Sequence, residues 1–207
     1  IRSEIRKNFK YSLVLHASDL PKGRGWSPHI WDIIGGSQEI TLTLLEAADD
    51  IDSGNIWAKA KIPLEGHELF DEINHLLFTN EIELMKHACR NYKDISPIKQ
   101  NHKEATYLIK RSPSDSELDL NCSISSQWNL IRVCDSVRFP CFVILGNDEY
   151  ILKFSKVKSQ HRKSTNNIEI DPTEAIGFGV NLKKAAGKKY FFSYLDFSYQ
   201  MSVEYNN

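Results

Sequence analysis

Three polar features in the first quarter of the chain could do chemistry. His16 closes an apolar run, Tyr11-Ser12-Leu13-Val14-Leu15-His16. An imidazole titrates near neutral pH, so it can move a proton or carry charge beside a developing anion. A loop follows, Ser18-Asp19-Leu20-Pro21-Lys22-Gly23-Arg24-Gly25, with glycines on both sides of Arg24. Glycine permits close backbone approach to a ligand, and a guanidinium can hold an anion. Asp52 stands in a short acidic turn, Ile51-Asp52-Ser53-Gly54. A carboxylate beside an imidazole favours the charged ring. Each feature alone has a plain structural reading, and an Asp-x-Gly is most often ordinary turn chemistry. Taken together they point to one site.

The elements that must position them can be read from periodicity. Residues 11–16 predict a buried strand, and in open α/β sheets ligands sit outside the carboxyl ends of strands. Ser27 followed by Pro28 predicts a capped helix start. That helix runs through Ile30, Trp31, Ile33 and Ile34 and stops at Gly35-Gly36. Residues 39–46 alternate as a strand, 47–54 form an acidic loop, and 55–64 predict its antiparallel partner. Helical spacing covers 67–92, through Leu69, Phe70, Ile73, Leu76, Leu77, Ile82, Leu84 and Met85, with a break expected near Thr79-Asn80. Residues 93–104 read as loop, 105–110 as a short strand and 112–121 as a linker. Ile124, Trp128 and Ile131 mark another helix. Residues 141–145 and 149–154 predict a hairpin across Gly146-Asn147-Asp148. Residues 155–168 read as a basic loop, and the aromatic run 190–197 as a strand.

Composition bounds the class. The chain has 207 residues, 26 Lys+Arg against 27 Asp+Glu, and 41% hydrophobic residues. This is an ordinary globular balance, so a disordered or fibrous chain is excluded. A net charge of −1 gives no general attraction to nucleic acid. A local basic excess remains at Lys153, Lys156, Lys158, Arg162, Lys163, Lys183, Lys184, Lys188 and Lys189. No apolar run approaches the roughly 18–20 residues a bilayer requires. The charged opening Ile1–Lys7 does not read as a signal peptide. Cys89, Cys122, Cys134 and Cys141 have no metal-ligand spacing and predict reduced thiols of a cytoplasmic protein. His29, His67, His75, His87, His102 and His161 likewise show no ligand spacing, so no metal site is expected.

The stretch Val14-Leu15-His16-Ala17-Ser18-Asp19-Leu20-Pro21-Lys22-Gly23-Arg24-Gly25-Trp26-Ser27-Pro28, followed by Ile51-Asp52-Ser53-Gly54, resembles the folate-dependent formyltransferase family. That family includes methionyl-tRNA formyltransferases and sugar-nucleotide N-formyltransferases. Two separate motifs match in residue type and in spacing. Residues 105–154 also resemble the family's linker, at Lys110–Ser116, and the start of its appended unit. The implied fold is α/β: the second half of a Rossmann-like catalytic domain followed by a small, mostly β C-terminal unit. The corresponding bounds are 1–104 for the partial catalytic domain, 105–121 for the linker and 122–207 for the C-terminal unit. The resemblance further implies strands and helices upstream of residue 11, and Ile1 in place of an initiator Met fits a longer gene product.

The implied activity is transfer of a formyl group from 10-formyltetrahydrofolate to a primary amine. His16 and Asp52 would be catalytic. The loop Ala47, Ala48, Asp49 and Asp50 would contribute backbone to the pterin pocket. Ser18, Arg24 and Gly25 would shape the loop or face the acceptor. The family pattern has Asn two residues before the His, where this chain has Val14. Asp19, Gly23 and Trp26 set the loop apart from the tRNA enzymes and bring it closer to enzymes of surface-polysaccharide amino sugars. The expected partner is therefore a nucleotide-linked amino sugar, with a homodimer as the common assembly of such enzymes and no membrane contact. The alternatives are a methionyl-tRNA formyltransferase acting on tRNA, or a catalytically impaired formyltransferase-like binding protein.

Overall fold

The structure, a computed structural model, describes residues 1–157, 168–169, 189–194 and 197–206 of the chain. They divide into two compact units. The first comprises 1–65 and 72–111, the second 66–71 and 112–207.

The first unit contains, in order, α1 (Ser3–Arg6), β1 (Leu13–His16), β2 (Arg24–Gly25), α2 (Pro28–Ile34), β3 (Glu39–Glu46), β4 (Ile56–Pro63), most of α3 (Phe70–Asn91) and β5 (Tyr107–Leu108). Three strands form a sheet in the order β1-β3-β4. Both pairings are antiparallel, with His16 opposite Thr43 and Thr43 opposite Lys59. Ile40, Leu42, Thr43, Leu44 and Leu45 are buried, so the middle strand is covered on both faces. α2 packs on β3 and buries Ile30 and Ile33, and α3 buries Ile73, Leu77, Leu84 and Ala88. Each such aliphatic side chain contributes about 1.5–3 kcal/mol by leaving water. Among the described residues β1 has no partner on its outer edge. Leu13, Val14 and Leu15 line a cavity of about 580 Å³ together with Trp57, Met85 and Tyr92.

Two sequence expectations are corrected here. α3 runs unbroken through Thr79 and Asn80. Their side chains bond back to the preceding turn, Thr79 Oγ1 to the His75 carbonyl at 2.8 Å and Asn80 Nδ2 to that of Leu76 at 2.9 Å. These residues therefore satisfy themselves inside the helix instead of ending it. Ser27 precedes α2 but does not cap it with its hydroxyl, because its backbone is left-handed at φ 47°. The start rests on Pro28, whose ring presets the helical φ.

The second unit holds α4 (Trp128–Arg132), β6 (Cys141–Leu145), β7 (Asp148–Lys156), β8 (Ile168–Glu169), β9 (Lys189–Tyr194) and β10 (Phe197–Asn206). The sheet order is β6-β7-β10-β9-β8. The β6–β7 hairpin pairs Leu145 with Asp148 across Gly146-Asn147, with Gly146 at φ 67°. The core gathers Trp128 and Ile131 with Val143, Tyr150, Tyr199 and Met201. The Trp128 and Tyr199 rings meet edge-on at 4.6 Å. Residues 66–71 are fastened to this unit. Trp128 Nε1 donates to the Gly66 carbonyl at 2.8 Å and the Tyr199 hydroxyl to that of His67 at 2.9 Å, while Arg132 pairs with Glu68 at 2.9 Å. The cations Lys158, Arg162, Lys163, Lys183, Lys184 and Lys188, and Leu195-Asp196 of the aromatic run, lie outside the described residues. Among the described residues no helix is long and apolar enough to cross a membrane.

Candidate active site

The carboxyl end of β1 delivers His16 to a buried position in the first unit. Its Nε2 lies 2.8 Å from the Gly23 carbonyl. A carbonyl only accepts, so Nε2 carries the proton and donates. Nδ1 faces Asp52 Oδ2 at 3.6 Å, within ion-pair range but longer than a hydrogen bond. The same Oδ2 accepts the Gly25 N–H at 2.9 Å. One carboxylate oxygen therefore ties the glycine-rich loop to the imidazole.

Local rules explain why the acidic turn reaches back this far. Asp52 has φ 49°, a left-handed conformation that Asp tolerates better than most residues. Two residues later, a Cβ on Gly54 would fall 1.9 Å from the Glu46 carbonyl, so only glycine closes the turn against β3. Gln100 clamps the turn from outside. Its Nε2 donates to the Asp52 carbonyl at 2.8 Å and to that of Gly54 at 2.7 Å. Its Oε1 accepts from Arg24 Nη2 at 2.7 Å. Nothing in the polar stretch 93–104 marks Gln100 as such a clamp, and the sequence reading missed it.

The loop from Ser18 to Gly25 is held from within. Ser18 is buried, and its hydroxyl donates to the Lys22 carbonyl at 2.9 Å. Arg24 is also buried, and its guanidinium reaches Gln100, His102 Nδ1 at 3.1 Å and the Tyr107 hydroxyl at 3.2 Å. β2 pairs in parallel with β5, Arg24 beside Tyr107 and Gly25 beside Leu108. Gly25 has φ 105°, and a Cβ there would lie 2.5 Å from the Leu108 carbonyl. Thr106 adds its hydroxyl, which accepts the Gly23 N–H at 2.8 Å.

Ala47, Ala48, Asp49 and Asp50 form the loop after β3. Ala47 donates its N–H to the Ser12 carbonyl at 2.8 Å and accepts from Arg6 Nη1 at 2.9 Å. Arg6 also pairs with the Asp49 carboxylate. The Asp50 carbonyl accepts from the Ser53 hydroxyl at 3.0 Å. Ala48, Asp49 and Asp50 are exposed. Arg6 thus holds one acceptor position on the Ala47 carbonyl and one on the Asp49 carboxylate.

Two further titratable groups border the site. Burial, helped by the charge of nearby His16, pushes the His29 imidazole down to about 4. His29 is therefore neutral at pH 7. Its Nδ1 is buried without a hydrogen-bond partner among the described residues. Asp32, one turn further along α2, is raised first by burial and then by the charge of Asp19. Asp19 pairs with Lys59 at 2.5 Å.

The chain is 28% identical to the methionyl-tRNA formyltransferase of Malacoplasma penetrans over 160 residues, 73% of this chain and 48% of that protein. It is 30% identical to the methionyl-tRNA formyltransferase of Streptococcus pyogenes serotype M6 over 124 residues, 59% of this chain and 40% of that one. The chain is similar to folate-dependent formyltransferases. It spans about half the length of these relatives or less. No family model matches it. The solved methionyl-tRNA formyltransferase from Clostridium thermocellum superposes with a TM-score of 0.63 at 25% identity, covering 78% of this chain and 69% of that one. HypX from Aquifex aeolicus, crystallised with tetrahydrofolic acid, gives a TM-score of 0.64 at 18% identity over 97% of this chain and 33% of that one. WlaRD, a sugar 3N-formyl transferase crystallised with dTDP and 5-N-formyl-THF, gives 0.53 at 18% over 92% of this chain and 64% of that one. These last two carry the fold.

Proposed function

We propose that this chain carries the His–Asp centre of an enzyme that moves a formyl group from 10-formyltetrahydrofolate to the primary amine of a nucleotide-linked amino sugar in the cytoplasm. The observation that carries the reading is the buried His16 facing Asp52, with Gly25 donating to the same carboxylate oxygen. The acceptor amine attacks the formyl carbon, and the carbonyl electrons move onto oxygen. His16 stabilises that oxyanion and assists proton transfer, and Asp52 orients the imidazole. The oxyanion then collapses, the bond from carbon to the folate nitrogen breaks, and that nitrogen takes up a proton. The proton shed by the amine leaves through the Asp52–His16 pair. Ala47–Asp50 would border the pterin, and Ser18, Arg24 and Gly25 would hold the loop that meets the acceptor. Residues 1–104 would be the catalytic part, 105–121 its linker and 122–207 a small C-terminal domain.

The departures of Asp19, Gly23 and Trp26 from the tRNA-enzyme loop support the amino-sugar reading. Asp32, raised first by burial and then by the Asp19 charge, lies near that loop, and Asp19 itself pairs with Lys59. The tRNA reading draws on two similar proteins, the methionyl-tRNA formyltransferases of Malacoplasma penetrans and Streptococcus pyogenes. The deciding experiment assays formyl transfer from 10-formyltetrahydrofolate to aminated dTDP- or UDP-sugars and, in parallel, to Met-tRNA. Formylation of a sugar nucleotide is expected. Formylation of Met-tRNA alone would replace this reading with the second.

A further inference from the structure

Gln100 stands where two segments of the site meet, and its side chain is 4% exposed. Nε2 donates to the carbonyls of Asp52 at 2.8 Å and Gly54 at 2.7 Å, and Oε1 accepts from Arg24 Nη2 at 2.7 Å. Only this orientation of the amide fits. Turned over, its oxygen would face two carbonyl oxygens and its NH2 a guanidinium, which holds no acceptor. The backbone that carries Gln100 is itself fixed. Ile98 exchanges both backbone hydrogen bonds with Ile56 at the start of β4, each 2.8 Å. Asn101 accepts the Lys103 N–H at 3.2 Å and caps the single turn His102–Glu104. The amide therefore reaches the site from a rigid footing.

The contacts close a ring. Gln100 Oε1 holds Arg24, Arg24 is bonded to Gly25, the Gly25 N–H donates to Asp52 Oδ2 at 2.9 Å, and the Asp52 carbonyl returns to Gln100 Nε2. The same Oδ2 faces His16 Nδ1 at 3.6 Å. We propose that Gln100 is a positioning residue for formyl transfer, whose amide fixes the Asp52 carboxylate against His16. This rests on the formyltransferase reading above. Asp52 has φ 49°, and such a backbone persists only where its surroundings over-determine it. Donors to the carbonyls on both sides of Ser53 supply that constraint. A carboxylate at position 100 would serve Arg24 alone, and an apolar chain neither side. Gln100 is buried, so it acts through Asp52 and not on a substrate.

The test compares Gln100→Glu and Gln100→Met with the parent in the full chain. Gln100→Glu keeps the shape and the acceptor for Arg24 but loses both donors to the Asp52 turn. Gln100→Met keeps the length and loses both sides. The kcat for formyl transfer is expected to fall by about 100-fold in each, the cost of moving a reacting group by roughly 1 Å, while KM for both substrates holds. A fall of less than tenfold in Gln100→Glu, or a change confined to KM, overturns the proposal. The ring is read separately by NMR through the Gly25 amide proton. Bonded to a carboxylate, it should stand downfield in the parent and move upfield in Gln100→Glu, where Arg24 keeps its acceptor. An unmoved Gly25 signal overturns the proposal. If neither variant folds, the parent decides: both Gln100 Nε2 protons should exchange slowly with solvent, and exchange as fast as that of a free amide overturns it. If the parent transfers no formyl group to any amine, the formyltransferase reading fails on its own, and the Gly25 signal still decides whether Gln100 places Asp52.

Discussion

Asp52 is the residue on which the site turns, because one of its oxygens meets both the Gly25 N–H and the His16 ring. Asp52→Asn keeps the shape and the left-handed backbone but removes the charge. Its kcat should fall by about 100-fold or more, the usual contribution of positioned acid–base groups, as steady-state kinetics will read. His29 sets a stability signature of its own. Its folded pKa of about 4 lies below the ordinary 6.5, so the unfolded chain binds the proton more readily. Stability from this group is complete above pH 6.5 and is lost as the pH falls toward 4. The total is about 3 kcal/mol, at about 1.4 kcal/mol per pH unit. Urea titrations across that window should show the slope in the parent and its loss in His29→Phe. At this scale His16 and Asp52 were legible because their spacing matches a known pattern. His29 and Gln100 were not. A lone histidine after a proline and a glutamine in a polar loop carry no periodic signal, and their surroundings appear only when distant chain is brought together.

The elements that hold these residues are turns more than strands. Gly54 admits no side chain, since a Cβ would collide with the Glu46 carbonyl. Gly54→Ala should cost about 2 kcal/mol or more by forcing that backbone apart, and thermal unfolding will measure it. The loop after β3 makes a second prediction. Arg6 occupies the Ala47 carbonyl and the Asp49 carboxylate. If that loop receives the pterin, Arg6→Ala should tighten tetrahydrofolate binding in calorimetry, and weaker binding would contradict the placement. Strand alternation and the proline-led start of α2 were readable from sequence because local periodicity controls them. The unbroken α3 and the β2–β5 pairing were not. Thr79 and Asn80 look like breakers until their back-bonds are seen, and two-residue strands are set entirely by tertiary contact.

At the scale of the whole molecule, each unit has its own fastening. In the second, Arg132 and Glu68 form a buried pair from segments far apart in the chain. Glu68→Ala leaves a buried guanidinium without its carboxylate and should destabilise that unit by about 3–5 kcal/mol. Residues 66–71 showed no sequence sign of joining the C-terminal unit, because the carbonyls of Gly66 and His67 and the Glu68 carboxylate meet partners more than 60 residues further along the chain. Charge balance and composition excluded whole classes of function but could not choose an acceptor, since a net charge of −1 does not say which charges meet at the site. Formyl transfer by the His16–Asp52 pair is the step on which the proposed function stands. It is tested most directly by single-turnover transfer of a 14C-formyl label from 10-formyltetrahydrofolate to a nucleotide-linked amino sugar, comparing the parent chain with His16→Ala. Label is expected on the amine with the parent and none with His16→Ala at unchanged thermal stability. Equal transfer by both proteins would contradict it.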